Sequence, residues 1–205
     1  MTEPITNLVG SSAIPKSLDV APGDHVIAIV TEAADVELLV PFFGSSLGHH
    51  ACSVVAAETH RDDCAHALRN SGVHDEQFPN FDDPRADGCG PDGVFDPDRF
   101  MNSLRTRNKS WIANGAKRVF RAGLMRWMEE LQVPADDRVY LEAQFNTTIE
   151  GSCASGLCIY DARVVGADML LRLIRTHPKI VVDGAVTANP LYEPPESVLR
   201  SLGRA

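Results

Sequence analysis

The chain has 205 residues, of which 44% are hydrophobic and 23% are charged. This length and composition fit one well-buried globular domain and exclude general disorder. The formal net charge of -9 argues against a nucleic-acid groove, because binding phosphates requires clustered lysines and arginines.

The sequence carries no targeting signal that we can identify. No apolar run approaches the roughly 20 residues that span a bilayer. The first residues, Met1-Thr2-Glu3-Pro4, lack the basic and apolar regions of a signal peptide. The five cysteines are odd in number and have no CxxC spacing, so we expect them to be reduced. A cytoplasmic protein without a membrane segment is expected.

Apolar spacing divides the chain into alternating strands and helices. Strands with continuous apolar character are typical of a parallel sheet covered on both faces. This alternation predicts a three-layer α/β domain with a mostly parallel sheet flanked by helices. In chain order the predicted elements are a strand at residues 25–31, a helix at 33–47, a strand at 51–57, helices at 59–70 and 96–114, a strand at 117–122, helices at 124–131 and 135–149, a strand at 157–161, a helix at 164–176 and a strand at 180–182.

Two segments lie outside these elements. Residues 1–20 contain serine and proline, and we expect a flexible tail before a single domain at residues 21–205. Residues 74–96 are rich in Asp, Pro and Gly and predict a long loop, with residues 82–93 its most mobile part.

The fold class invites a search for a phosphate loop, and the sequence argues against one. Residues 44–50 (GSSLGHH) contain glycines but lack the Lys-Ser/Thr pair that grips phosphates and magnesium. They also fall at the end of a predicted helix rather than between a strand and a helix start. We therefore predict no functional phosphate loop.

Metal and nucleophile chemistry are weaker alternatives. His60 and Cys64 are four residues apart on a helix, so both could reach one ion. No four-ligand spacing of the structural-zinc type is visible, and buried cysteines are commonly small core residues. Cys158 could be activated by His177 or His25, but a buried strand cysteine is usually inert. We therefore predict no metal, no cofactor and no enzymatic activity.

A small-molecule pocket is the strongest functional prediction from the residues. Ligands of open α/β sheets bind at the carboxyl ends of the strands. Polar residues follow several predicted strands at that edge, although an ion pair or simple packing would explain each of them singly. The candidate ligand-binding residues are His25, Glu32, Arg121, Cys158, Tyr160, Asp161 and His177.

The ordered segments resemble the MEDS domain, the methanogen/methylotroph sensory domain of the dichloromethane-regulator type. The resemblance covers residues 24–195 and rests on an ordered set of short motifs, none of which is specific by itself. The motifs are Asp24-His25, Phe42-Phe43 through Gly48, Val54-Val55-Ala56 before Thr59-His60, Leu68 to Gly72, Pro97-Asp98-Arg99-Phe100, Leu141-Glu142 with Asn146, residues 157–161, and His177-Pro178.

The resemblance implies a RecA-like fold and a prokaryotic role in sensing simple hydrocarbon derivatives, in signal transduction or transcription regulation. Two departures concern the pocket. Many members have an aromatic-acid pair where this chain has Val30-Thr31-Glu32, and Gly-Glu-Met where it has Gly123-Leu124-Met125.

We therefore expect a non-enzymatic sensor that binds a small hydrocarbon-derived molecule and signals through a partner regulatory protein. The expected partners include neither nucleic acid nor membrane, and a homodimer is compatible with this reading. The alternatives are a small enzyme that uses Cys158 or a His/Cys metal site, and a ligand-free dimeric interaction scaffold.

Overall fold

A seven-stranded sheet forms the centre of the computed structural model, which describes residues 16–31 and 36–204. The strands are β1 (His25–Val30), β2 (Ala51–Val55), β3 (Asn80–Asp82), β4 (Val119–Leu124), β5 (Ala154–Asp161), β6 (Lys179–Val182) and β7 (Ala185–Ala188). Their order is β3-β2-β4-β5-β1-β6-β7, and every neighbouring pair is parallel except β6 and β7.

Helices cover both faces of the sheet. The α-helices are α1 (Leu39–Phe43), α2 (Arg61–Asn70), α3 (Pro84–Gly88), α4 (Pro97–Ala113), α5 (Trp127–Glu130), α6 (Ala135–Ile149), α7 (Ala167–Arg175) and α8 (Pro195–Ser201). Short 3-10 helices lie at Val36–Leu38, Gly44–Ser46, Glu58–His60 and Asp75–Gln77. None of the helices within the described ranges combines the length and apolar character needed to cross a membrane.

The period-2 alternation of the central strands divides the core into two layers. Leu157 and Ile159 of β5 pack with α1 and α2 on one face. Cys158 and Tyr160 pack with α4, α6 and α7 on the other. The predicted three-layer α/β fold with a mostly parallel sheet is confirmed.

Gly156 lets α6 approach the sheet closely. A Cβ at this position would lie 2.3 Å from Cε1 of Phe145 on α6, so no larger residue fits without a shift. His25 pairs with Gly156 in the β1–β5 register. The start of β1, the middle of β5 and α6 therefore meet at one place in the core.

The long loop predicted for residues 74–96 is wrong for much of its length. Asn80–Asp82 forms strand β3 beside β2, and α3 follows, with the Asp83 side chain accepting a hydrogen bond from the backbone N–H of Arg85. Asp82 is buried because Arg121, far away in sequence, pairs with it. Local composition could not reveal that partner.

The remaining differences concern element ends. Strand β5 begins at Ala154, three residues before the predicted start, and β4 extends to Leu124. Residues 1–15 of the predicted tail lie outside the described residues, while Leu18 and Val20 are buried in the core. Residues 44–50 lie between α1 and the start of β2, at the sheet edge opposite the strand carboxyl ends.

Candidate functional site

A group of polar side chains is buried between the sheet and α6, on the face that carries Cys158. Polar groups at such depth are costly unless they find partners inside the protein. We call this group the Glu142 cluster. Its members, with their exposed fractions, are His25 (0%), Glu142 (2%), Asn146 (6%), Cys158 (7%), Tyr160 (1%) and His177 (0%).

Helix and strand periodicity bring these side chains together. Glu142 and Asn146 are four residues apart on α6, so they lie on one face of the helix. Cys158 and Tyr160 are two residues apart in β5 and point to the same side of the sheet. The two histidines come from the first residue of β1 and from the segment between α7 and β6.

The carboxylate of Glu142 is the centre of the cluster. Its Oε2 atom lies 3.2 Å from Nε2 of His25, 3.3 Å from Nε2 of His177 and 3.4 Å from Sγ of Cys158. The same Sγ lies 3.3 Å from Nε2 of His25. The other carboxylate oxygen, Oε1, accepts a hydrogen bond from the hydroxyl of Tyr160.

The outer ring nitrogens determine how the two histidines are oriented. The Asn146 amide donates to the carbonyl of Thr176 at 2.5 Å, so its Oδ1 faces Nδ1 of His25 at 3.0 Å. An amide oxygen only accepts, and we infer that His25 Nδ1 carries the hydrogen. His177 Nδ1 lies 2.7 Å from the carbonyl of Leu173, so it also donates. Both Nε2 atoms therefore face the carboxylate as lone-pair acceptors when the rings are neutral.

Burial and mutual charges set the protonation states. Burial, and then the charge of His177, lowers the pKa of His25 to about 4. Burial alone would raise the pKa of Glu142, but His177 and His25 outweigh it and hold that pKa below its usual value. Burial, and then Glu142, raises the pKa values of the Cys158 thiol and the Tyr160 hydroxyl. Near neutral pH, an ionised Glu142 therefore faces a neutral His25 ring and a protonated thiol.

An apolar cavity adjoins the cluster. The cavity has a volume of about 40 Å³, which is room for about three waters or one compact organic molecule. Glu142 and Cys158 form its polar wall on one side, and Arg121 borders it elsewhere. The remaining lining is mostly apolar and includes Val55, Phe100, Met101, Leu104, Met125, Trp127, Met128, Leu141 and Phe145.

The structure brings four of the seven predicted site residues together. His25, Cys158, Tyr160 and His177 all belong to the Glu142 cluster. Asp161 lies outside it and pairs with Arg163, with Nη2 of the arginine 2.7 Å from a carboxylate oxygen. Glu32 lies outside the described residues.

Arg121 borders the cavity, but its charge is already compensated. Its guanidinium pairs with the buried carboxylate of Asp82 and donates to Oδ1 of Asn108 at 2.8 Å. Trp111 lies over the guanidinium, 5.2 Å from ring centroid to Cζ. These contacts hold Arg121 as one wall of the cavity and pair its charge with Asp82, while its buried Nε has no hydrogen-bond partner.

Sequence reasoning missed Glu142 and Asn146 as site residues. Both fall within the predicted helix at 135–149, on the face that also carries Val139, Phe145 and Ile149. Polar residues on the apolar face of a helix were the available signal. Of the two residues considered as ligands of one metal ion, Cys64 is buried in the opposite core layer, and His60 lies beside Glu130.

A comparison with family models assigns the chain to a known protein family. The family model described as "MEthanogen/methylotroph, DcmR Sensory domain" (MEDS) matches residues 24–178. The chain belongs to the MEDS family. The matched range begins just before His25 and ends just after His177, so it includes every member of the Glu142 cluster.

A search of curated proteins gives no match. Among solved structures, a protein from Pyrococcus horikoshii OT3 is similar, with a TM-score of 0.53 and 9% identity. The alignment covers 82% of this chain and 86% of that chain. At this identity the similarity supports the α/β fold alone.

The structure also locates one departure from the MEDS pattern. Leu124 is buried with α1 and α2 on the other face of the sheet. Its neighbours Gly123 and Met125 line the cavity instead. The leucine at this position therefore takes no part in the cavity wall.

Proposed function

We propose that this MEDS domain senses a small, weakly polar hydrocarbon derivative and passes the signal to a partner regulatory protein. The observation that carries the proposal is the small apolar cavity beside Glu142 and Cys158. Such a cavity suits a compact molecule with one weakly polar group, because most of its wall offers only dispersion contacts. Membership in a family of sensory domains supports the same reading.

The lining residues suit a small, largely apolar ligand. Met101, Met125 and Met128 border the cavity, and their unbranched side chains adapt to small changes in shape. The polar wall can accept a hydrogen bond at the carboxylate or contact a polarisable atom at the thiol. A charged ligand would have to be desolvated without a free counter-ion, which is unfavourable.

The methionines provide a direct test. The chain carries a fourth described methionine, Met169, on α7 outside the cavity lining. With ¹³C-methyl methionine, titration with methanol, dichloromethane and chloroform should shift the methyl signals of the three lining methionines and leave Met169 unchanged. Saturable shifts confined to the lining would support the proposal.

A matched pair of variants sharpens the test. Leu104→Phe fills the cavity from α4 and should abolish the shifts, while Leu191→Phe changes a half-exposed site and should preserve them. Shifts of equal size at Met169, or shifts that survive Leu104→Phe in a folded protein, would contradict a ligand in this cavity.

A cysteine enzyme is the second candidate, since Cys158 Sγ and His25 Nε2 lie within reach at 3.3 Å. The electrostatics oppose it, because burial and the neighbouring carboxylate raise the pKa of the Cys158 thiol. Mass spectrometry after brief iodoacetamide treatment should therefore find Cys158 unmodified. Rapid stoichiometric labelling there would move the enzyme to first place.

A further inference from the structure

We propose that His25, Glu142, Cys158 and His177 bind one divalent transition-metal ion, with Zn²⁺ as the best match. The ligand atoms are Nε2 of both histidines, Oε2 of the glutamate and Sγ of the cysteine. These four atoms all lie within 4.8 Å of one another, and all four residues are buried. No short sequence motif links them, because they come from four separate places in the fold.

Four of the six distances between the ligand atoms match a tetrahedral ion. Zinc bonds of about 2.0–2.3 Å to N, O and S ligands place neighbouring ligand atoms about 3.3–3.6 Å apart in a tetrahedron. The carboxylate oxygen lies 3.2, 3.3 and 3.4 Å from the other three ligand atoms. The separation of 3.3 Å between Cys158 Sγ and His25 Nε2 is a fourth edge of the same size.

Without an ion and with both rings neutral, the centre of the cluster has too few hydrogens. The two Nε2 lone pairs and the carboxylate oxygen are then all acceptors, and the thiol of Cys158 offers the single hydrogen among them. Nε2 of His177 is buried and forms no hydrogen bond, although it lies 3.3 Å from Oε2 of Glu142. A cation at the centre would satisfy all four groups at once.

The surrounding hydrogen bonds are those of a metal site. Zinc-bound histidines almost always donate their other ring nitrogen to a carbonyl or carboxylate, which fixes the tautomer. His25 donates to the side-chain carbonyl of Asn146, and His177 donates to the backbone carbonyl of Leu173. The hydroxyl of Tyr160 holds the free oxygen of the Glu142 carboxylate. Every ligand but the thiol therefore has an outer partner in place.

Charge and ligand type favour Zn²⁺ among the common ions. Binding releases the Cys158 proton, so the ligands become one thiolate, one carboxylate and two neutral imidazoles. Their two negative charges neutralise a divalent cation, which suits a fully buried site. Two imidazoles with a thiolate exclude Mg²⁺ and Ca²⁺, which prefer oxygen ligands, and the tetrahedral spacing fits Zn²⁺.

The proposal does not depend on the sensory function. A metal could stabilise the junction of β1, β5 and α6 whether or not the cavity binds a ligand. Metal content and cavity occupancy are measured separately, so either proposal can fail alone.

The test uses the full chain stripped with a chelator and then titrated with Zn²⁺ or Co²⁺. We expect one equivalent of Zn²⁺ to bind at nanomolar or lower free concentration and to raise the melting temperature. Co²⁺ should give tetrahedral ligand-field bands and a thiolate-to-cobalt charge-transfer band. Absence of saturable binding below micromolar Zn²⁺ would overturn the proposal.

Variants identify the ligands. Cys158→Ser should remove the charge-transfer band, whereas Cys153→Ser, at a partly exposed cysteine outside the cluster, should leave it intact. Tyr160→Phe removes only an outer partner and should weaken binding by about 10–100-fold, with the protein folded. A charge-transfer band that survives Cys158→Ser would refute the assignment. If that variant does not fold, a wild-type cobalt spectrum without the band would refute it equally.

Discussion

Removing one partner of the buried ion pair between Arg121 and Asp82 should strongly destabilise the fold. Their side chains are only 3% and 2% exposed, and Asp82 joins Arg121 of β4 to Arg107 of α4. Burial lowers the pKa of Arg121, while Asp82 acts to raise it. The pair thus keeps a guanidinium charged in the core, where an isolated charge would be costly.

Asp82→Ala leaves the Arg121 guanidinium buried with Asn108 as its remaining side-chain acceptor. Removing one partner of a buried pair costs about 3–5 kcal/mol, a large part of the 5–15 kcal/mol that typically stabilises a domain. Replacing both partners with apolar residues of similar size is often nearly neutral. The double variant Asp82→Ala/Arg121→Met should therefore be more stable than Asp82→Ala alone.

Urea unfolding followed by circular dichroism measures these changes as shifts of the midpoint at constant slope. Asp75→Ala is the matched control, because it breaks an Arg–Asp pair whose side chains are 55% and 66% exposed. That variant should unfold at a midpoint indistinguishable from the parent. The reasoning fails if Asp82→Ala moves the midpoint no further than Asp75→Ala, or if the double variant is no more stable than Asp82→Ala.

Two further predictions concern packing and acid stability. Gly156→Ala should cost about 1–3 kcal/mol of unfolding free energy by overpacking, because its Cβ would meet the Phe145 ring at 2.3 Å. Gly123→Ala should cost less unfolding free energy, because the atom nearest to its added Cβ is the sulfur of Met125 on a flexible side chain. Equal losses of unfolding free energy for the two variants in urea would contradict this. Hydrogen bonds from Arg163 lower the pKa of Asp161 below its usual 3.8. The pair therefore stabilises the fold above pH 3.8, and this stabilisation is lost as the pH falls through the lower pKa of the folded state. Asp161→Asn should therefore flatten the stability profile below about pH 4 and leave its slope from pH 6 to 8 unchanged, and an altered neutral slope would refute this account.

The fold was largely predictable because most of its helices and strands have clear local sequence patterns. The helix at residues 135–149 has the predicted bounds, since Pro134 precedes it and its apolar spacing continues to Ile149. Strand β3 was not predictable, because its short Asn-Phe-Asp sequence gains its place through pairing with β2 and through Arg121. Ends of buried strands were also displaced by a few residues, as at β5.

The site was predictable only in part, for a physical reason. His25, Cys158, Tyr160 and His177 drew attention because their residue types carry chemistry and the sheet brings them together. Glu142 lies on a helix otherwise assigned to packing, and acidic helix residues are usually solvated. Its place in the cluster follows from its burial at 2% exposure and from the two imidazole nitrogens and the cysteine sulfur around one of its oxygens. These are properties of the fold and not of any local pattern.

The cavity and the proposed metal site share two residues, Glu142 and Cys158. An ion would fix the carboxylate and the thiolate that form the polar wall of the cavity, and so prepare that wall for a ligand. Binding at the two places is then coupled, and linkage requires the coupling to be reciprocal. A small molecule that binds the metal-loaded protein more tightly must tighten metal binding by the same factor. Because β5 is central in the sheet and carries Cys158 between β1 and β4, either event acts on the middle of the fold.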